Sequence, residues 1–156
     1  MESYMGTFKE EYYQAETEDD KVMQEQIKEI LFAEGWVLHY NTKMNEAAEI
    51  LLTYTNFKCF SRSNTDVNTY NCDVTRAEWI QKKQLLVFHI SANRFLRNMV
   101  RAIVGTMLEV GLGKTTIEEF KQIIEDKDRC NAGPSAPPQG LFLTRVTYPK
   151  TVFIHE

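Results

Sequence analysis

Cysteine and histidine are both scarce in this chain of 156 residues, with three of each, and neither set is spaced for chemistry. Cys59, Cys72 and Cys130 are odd in number and widely separated, which argues against a disulfide framework. Together with His39, His89 and His155 they show no ligand-like spacing, so no metal is expected. Cys59 and Cys72 lie in apolar surroundings and read as small buried hydrophobes. Long apolar runs are also missing. Nothing approaches the ~18 residues that span a bilayer, and the acidic start MESYMGTFKEE lacks the basic-then-apolar order of a signal peptide. These absences lead to the expectation of a soluble, cytoplasmic protein with no membrane partner.

What is present is enough to fold. With 43% hydrophobic and 12% aromatic residues, the chain can bury a core of one domain or a little more. Its net charge of -4 hides an asymmetry. Residues 1–50 carry 12 acidic and 4 basic side chains, whereas residues 51–156 carry 10 acidic and 14 basic. Between 58 and 101 there are eight basic residues against three acidic, Asp66, Asp73 and Glu78. The later part is therefore suited to a polyanion that the first part repels.

Residues 1–36 read as an acidic helical tail or connector, with Val22, Ile27, Ile30 and Leu31 predicting a helix over about 18–34 that stops at Gly35. Residues 37–156 read as the folded domain. NTKMNEAAEILLTY predicts an amphipathic helix capped at Asn41 or Thr42, with Met44, Ala47, Ala48, Leu51 and Leu52 on its apolar side. From Thr69 to Ile80 the apolar positions alternate and then change parity, as in a strand with a bulge near Arg76. LLVFHISA is the return strand of a hairpin, largely apolar on both faces. TTIEEFKQIIED predicts a helix with a capping box, GPSAPPQG is irregular, and GLFLTRVTYP alternates as a closing strand. The order implies an α+β domain: an antiparallel β-sheet with helices packed on one face.

SANRFLRNMVRAIVGTMLEVG carries the most pointed feature. Read as a helix of about five turns, it places Arg94, Arg97 and Arg101 in one row with Asn98 and Gly105, opposite Leu96, Met99, Val100, Ile103, Val104 and Met107. No acid lies three or four positions from the arginines to form the usual surface pairs. Gly105 costs ~1 kcal/mol of helix propensity relative to Ala, so a close approach to the backbone is expected there. A solvated outer face and a phosphate-binding face both accommodate this pattern. Lys58 and Arg62 in FKCFSRS tip the balance toward a nucleic-acid backbone.

The stretch NRFLRNMVRAIVGTMLEVG, then APPQGLFLTRVTYP, closely resembles the C-terminal half of the tRNA pseudouridine synthase A family. FKCFSRS, ahead of a strand ending AEWI, resembles that family's Phe-x-x-Phe-Ser segment after a Met-x-x-Ala helix. The resemblance runs from about 40 to 150. It implies the C-terminal domain of the pseudouridine synthase fold, and an isomerase that converts uridine to pseudouridine in the tRNA anticodon stem-loop. It further implies a homodimer, and no metal or cofactor. The family's catalytic aspartate sits in a Gly-Arg-Thr-Asp motif. By resemblance Arg101 is its ion-pair partner, and Leu141 and Leu143 lie near the target base. Arg94, Arg97, Lys58 and Arg62 are then the expected RNA-binding residues.

One departure is large: no Gly-Arg-Thr-Asp occurs among these residues. Of the six aspartates, Asp66 and Asp73 are conceivable replacements, but solvated carboxylates are the simpler reading for both. Asn56 also stands where the family often has Asp. The expectation is the C-terminal half of a synthase, without the catalytic aspartate, inactive by itself and completed by a second segment. The alternative is a non-catalytic tRNA-binding or dimerisation module.

Overall fold

The computed structural model describes residues 5–11, 36–82 and 85–149, with side chains described over 41–82 and 85–149. The helix expected over 18–34 lies outside the described residues. Helix α1 spans Trp36–Leu51 and starts before the caps expected at Asn41 and Thr42. Asn41 instead acts inside the helix, its Oδ1 accepting from Asn45 Nδ2 at 2.9 Å. Met44, Ala47, Ala48 and Leu51 are buried, as the spacing predicts, but Leu52 falls just past the helix end and is 45% exposed.

Strands β2 (Val74–Lys82) and β3 (Leu85–Ala92) form the antiparallel hairpin. Their register slips between Val74 and Arg76, which is the bulge that the parity change called for. The strand starts at Val74 rather than Thr69. On one face Val74, Ala77 and Trp79 meet Ala92, Ile90 and Phe88, the Trp79 and Phe88 rings lying 4.8 Å apart. On the other, Val87 and His89 of β3 are buried as well.

Two further strands complete a sheet of order β2-β3-β1-β4. Strand β4 is Leu141–Thr147, and β1 is Met5–Glu11, a strand not foreseen in the residues read as a tail. Strand β1 lies between β3 and β4, antiparallel to both, with Gly6 opposite Ala92 and Val146.

Helix α2 (Met99–Gly111) and helix α3 (Ile117–Asp126) pack with α1 on the Trp79–Phe88 side of the sheet, within a single buried cluster. The expected capping box is present: Thr116 Oγ1 accepts from Glu119 N at 3.1 Å, and Glu119 Oε2 accepts from Thr116 N at 2.8 Å. With Glu118 and Glu119 in the first turn, the positive end of the helix dipole is also balanced. Ile117, Phe120, Ile123 and Ile124 turn inward. Phe120 meets Phe60 at 6.2 Å between centroids, and Phe60 stacks on Phe57 at 6.5 Å. Burial of such a side chain contributes about 1.5–3 kcal/mol each. Cys59 and Cys72 join this core, and burial pushes their thiols up to about 12 and about 11 respectively. No described helix is long and apolar enough to cross a membrane.

Strand β2 is a sheet edge, and α1 covers part of it with one side chain. Asn45 Oδ1 accepts from Trp79 N at 2.7 Å while its Nδ2 donates to Trp79 O at 3.1 Å, so an amide takes the place of a neighbouring strand. Asn45→Ala leaves both backbone groups unmet. The expected loss is about 1–3 kcal/mol, read as a lower urea midpoint with unchanged slope. A change below about 0.5 kcal/mol would show that water replaces the amide at no cost.

Candidate nucleic-acid interface

The arginine stretch is not one helix. After β3 the chain bends through 93–98, and α2 starts only at Met99, behind Asn98 in a left-handed conformation with φ 67°. Asparagine tolerates this conformation better than most residues. The bend is held by Asn93, whose Oδ1 accepts from Asp73 N at 2.8 Å while its own N donates to Asp73 O at 3.2 Å. Arg94 and Arg97 therefore precede the helix, and only Arg101 is on it. Nor is the helix two-faced. Ten of its 13 residues are buried, because the side expected to face solvent is covered by the 133–136 loop.

The expected close approach at Gly105 is that loop. A Cβ at Gly105 would overlap the Pro134 carbonyl oxygen and lie 2.8 Å from its carbon. Around this contact the loop is bonded residue by residue. Ala136 N donates to Arg101 O at 2.9 Å, and Arg101 Nε donates to Ala136 O at 2.7 Å. Gly133 N donates to Thr106 Oγ1 at 2.9 Å, and that hydroxyl donates to Ala102 O at 2.7 Å. Asn98 Nδ2 donates to Ser135 Oγ at 2.6 Å. Arg129 also braces the loop, donating to Gly133 O and Ser135 Oγ, both at 3.0 Å.

Beside this junction lies a cleft of about 700 Å³, lined by Arg62, Arg97, Arg101, Phe95, Val100 and Leu141 among others. Arg62 N donates to Arg97 O at 2.9 Å, which ties the FKCFSRS turn to the bend before α2. Four of the expected site residues, Arg62, Arg97, Arg101 and Leu141, thus converge on one cavity. Leu143 does not line it and is 58% exposed on β4. Lys58 sits elsewhere, its Nζ 5.6 Å from the centroid of the Tyr70 ring. Arg94 braces the fold, its Nη1 donating to Thr69 O at 2.8 Å and Asn71 O at 3.3 Å. Asn56 caps the turn below, its Oδ1 accepting from Lys58 N at 3.1 Å, a bond for which an aspartate would serve equally.

A second, smaller cavity of about 550 Å³ adjoins the first through Arg62, Arg97 and Asn98 and adds Arg129. Neither Arg129 nor Asn98 was among the expected site residues. Arg129 has no local signal, since it follows a helix end and reaches the site only through the fold. By fold and charge this is an α+β domain with an arginine-rimmed, apolar-floored cleft, a surface suited to nucleic acid.

The relatives narrow that class. The family model described as tRNA pseudouridine synthase matches residues 47–149, and the chain belongs to that family. It is similar to the tRNA pseudouridine synthase A of Parabacteroides distasonis, 56% identical over 110 residues, covering 70% of this chain and 44% of the relative. The Bacteroides fragilis protein of that name is 54% identical over 71% of this chain and 44% of its own length. For that of Porphyromonas gingivalis the figures are 50%, 79% and 52%. The chain spans about half the length of the curated relatives it matches.

Two stability outcomes follow from the site. Gly105→Ala gains ~1 kcal/mol of helix propensity, yet a net loss of about 1–3 kcal/mol is expected, since the obstructing atoms are backbone; a more stable variant in urea would mean that the loop moves aside freely. Arg94→Ala should cost about 1 kcal/mol through its two carbonyl bonds, while Arg97→Ala stays within about 0.5 kcal/mol. Equal effects of the two would remove the distinction between a structural and an open arginine.

Proposed function

We propose that the chain is the C-terminal half of a tRNA pseudouridine synthase acting on uridines of the anticodon stem-loop. In this reading residues 37–156 form the C-terminal α+β domain and residues 1–36 an acidic connector that lends it β1. The enzyme works as a cytoplasmic homodimer without metal or cofactor. Arg62 and Arg97 hold the RNA at the cleft, while Lys58 and Arg94 add positive charge away from it. Leu141 flanks the target base and Leu143 extends the apolar surface beside it. The carboxylate nucleophile comes from a segment outside these 156 residues.

The observation that carries this reading is Arg101. Its Nε is committed to Ala136 O, which fixes the plane of the guanidinium at the cleft, and it forms no ion pair among the described residues. An arginine so held pairs with a carboxylate brought against a flipped uridine. In the isomerisation the N1–C1′ bond breaks, the base turns, and a C5–C1′ bond forms. The proton on C5 is lost to solvent and N1 gains one, so the atoms balance without an oxidant or reductant. This chain contributes the base's apolar wall, the RNA's electrostatic hold and the orientation of the carboxylate. The attack on the uridine belongs to the missing partner.

The test is tritium release from tRNA labelled at uridine C5. The 156-residue chain alone should release none, and adding the N-terminal half of a tRNA pseudouridine synthase A as a second polypeptide should restore release. Arg101→Ala should then lower the restored rate by about 100-fold with little change in tRNA affinity. Release by the chain alone would overturn the proposed division of labour. Binding of tRNA with no restored release would favour the non-catalytic module.

A further inference from the structure

We infer that the smaller cavity, rimmed by Arg62, Arg97 and Arg129, is a seat for a single backbone phosphodiester of the RNA, adjoining the base cleft and separate from it. This deepens the proposed function and rests on it. The first ground is composition. Every residue lining this cavity is polar, whereas the neighbouring cleft has Phe95, Leu96, Met99, Val100 and Leu141 in its walls. The two cavities share Arg62, Arg97 and Asn98, so one ligand with an apolar ring and an attached anion fits both at once. A nucleotide has that form.

The second ground is charge. No carboxylate lines the cavity, and among the described residues none of the three guanidiniums is in an ion pair. Three like charges brought together by folding repel unless an anion lies among them. Arginine forks suit a phosphodiester, whose two non-bridging oxygens accept paired N–H bonds.

The third ground is preorganisation. Arg129 bonds to Gly133 O and Ser135 Oγ, and those bonds set its plane. A guanidinium has five N–H donors, so two bonds to the loop leave others for a ligand. The Arg62–Thr65 turn is fixed by Thr65 Oγ1, which donates to Arg62 O at 3.2 Å, and by Asn64 in a left-handed conformation with φ 58°. Asn98, also left-handed, forms the shared wall, and its side chain is held by Ser135. Arg62 and Arg97, by contrast, have exposed side chains with no hydrogen-bond partner among the described residues, and are free to close on an anion. Arg129 is then a substrate-positioning residue that ties the phosphate seat to the loop orienting Arg101.

The experiment uses the 156-residue chain and an anticodon stem-loop RNA in which one phosphodiester at a time is replaced by a neutral methylphosphonate. Affinity is read by fluorescence anisotropy at fixed ionic strength. One linkage beside the target uridine should weaken binding by about tenfold, or about 1.4 kcal/mol. In Arg97→Gln, and separately in Arg62→Gln, that linkage should cause little further loss. Neither side chain has a described internal bond, so the fold is retained. Arg129→Lys, which keeps the charge without the fork, should show a reduced penalty at the same linkage. Inorganic phosphate, titrated at constant ionic strength, should not displace the RNA; displacement at submillimolar phosphate would make this a small-anion site and overturn the proposal. Equal tolerance of every linkage, or an undiminished penalty in the glutamine variants, would also overturn it while leaving the proposed function intact. Failure of the chain to bind RNA at all would overturn both.

Discussion

The site depends on the contact between Gly105 and the Pro134 carbonyl. A helix can lie against an extended loop at this separation only where a Cβ is missing, and at that point α2 has none. The near approach lets Ala136 exchange two hydrogen bonds with Arg101, one through backbone and one through the guanidinium. The loop therefore does more than cover an apolar helix. It converts the position of a backbone carbonyl into the orientation of a charged side chain, and it does so less than two turns from Gly105. The glycine's poor helix propensity is offset by the bonds that it permits.

The charge of the chain is organised by the same junction. Arg101 bonds to the loop at Ala136 and Arg129 bonds to it at Gly133 and Ser135, so the two adjoining cavities are tied together through a segment of four residues. Arg62 and Arg97, which face both cavities, are linked through backbone rather than through their side chains. Rigid arginines set the geometry while open ones supply adaptable charge. Such a division suits a nucleic acid whose backbone must be gripped before a base is moved.

Much of the fold was legible in the sequence because period and burial agreed. The hairpin, its bulge, the capped helix α3 and the closing strand all followed from alternation, parity and cap residues, and the close approach at Gly105 followed from its helix cost. The long arginine helix was misread for a physical reason. The spacing of Arg94, Arg97 and Arg101 is helical, but Asn93 and Asn98 divert the backbone through bonds to Asp73 and Ser135, residues distant in sequence. Arg94 went the same way, its guanidinium satisfied by carbonyls of a loop that periodicity does not locate. Of the site, Arg62, Arg97, Arg101 and Leu141 were found from charge or resemblance and do converge. Arg129 was not, because a residue that reaches a cavity only through tertiary packing leaves no mark in its neighbours. Strand β1 was hidden by the acidic character of the residues around it.

That strand has a consequence for how the protein assembles. In the order β2-β3-β1-β4, the last strand touches the sheet only through the first, and Leu141 at the cleft pairs with Glu11. The cleft wall is thus closed by contacts between opposite ends of the chain, the most expensive kind in loop entropy. Helices α2 and α3 and the hairpin can form from near neighbours. Strand β4 cannot join them until the amino-terminal strand has been inserted beside β3, so the Leu141 wall of the cleft is among the last parts of the molecule to form.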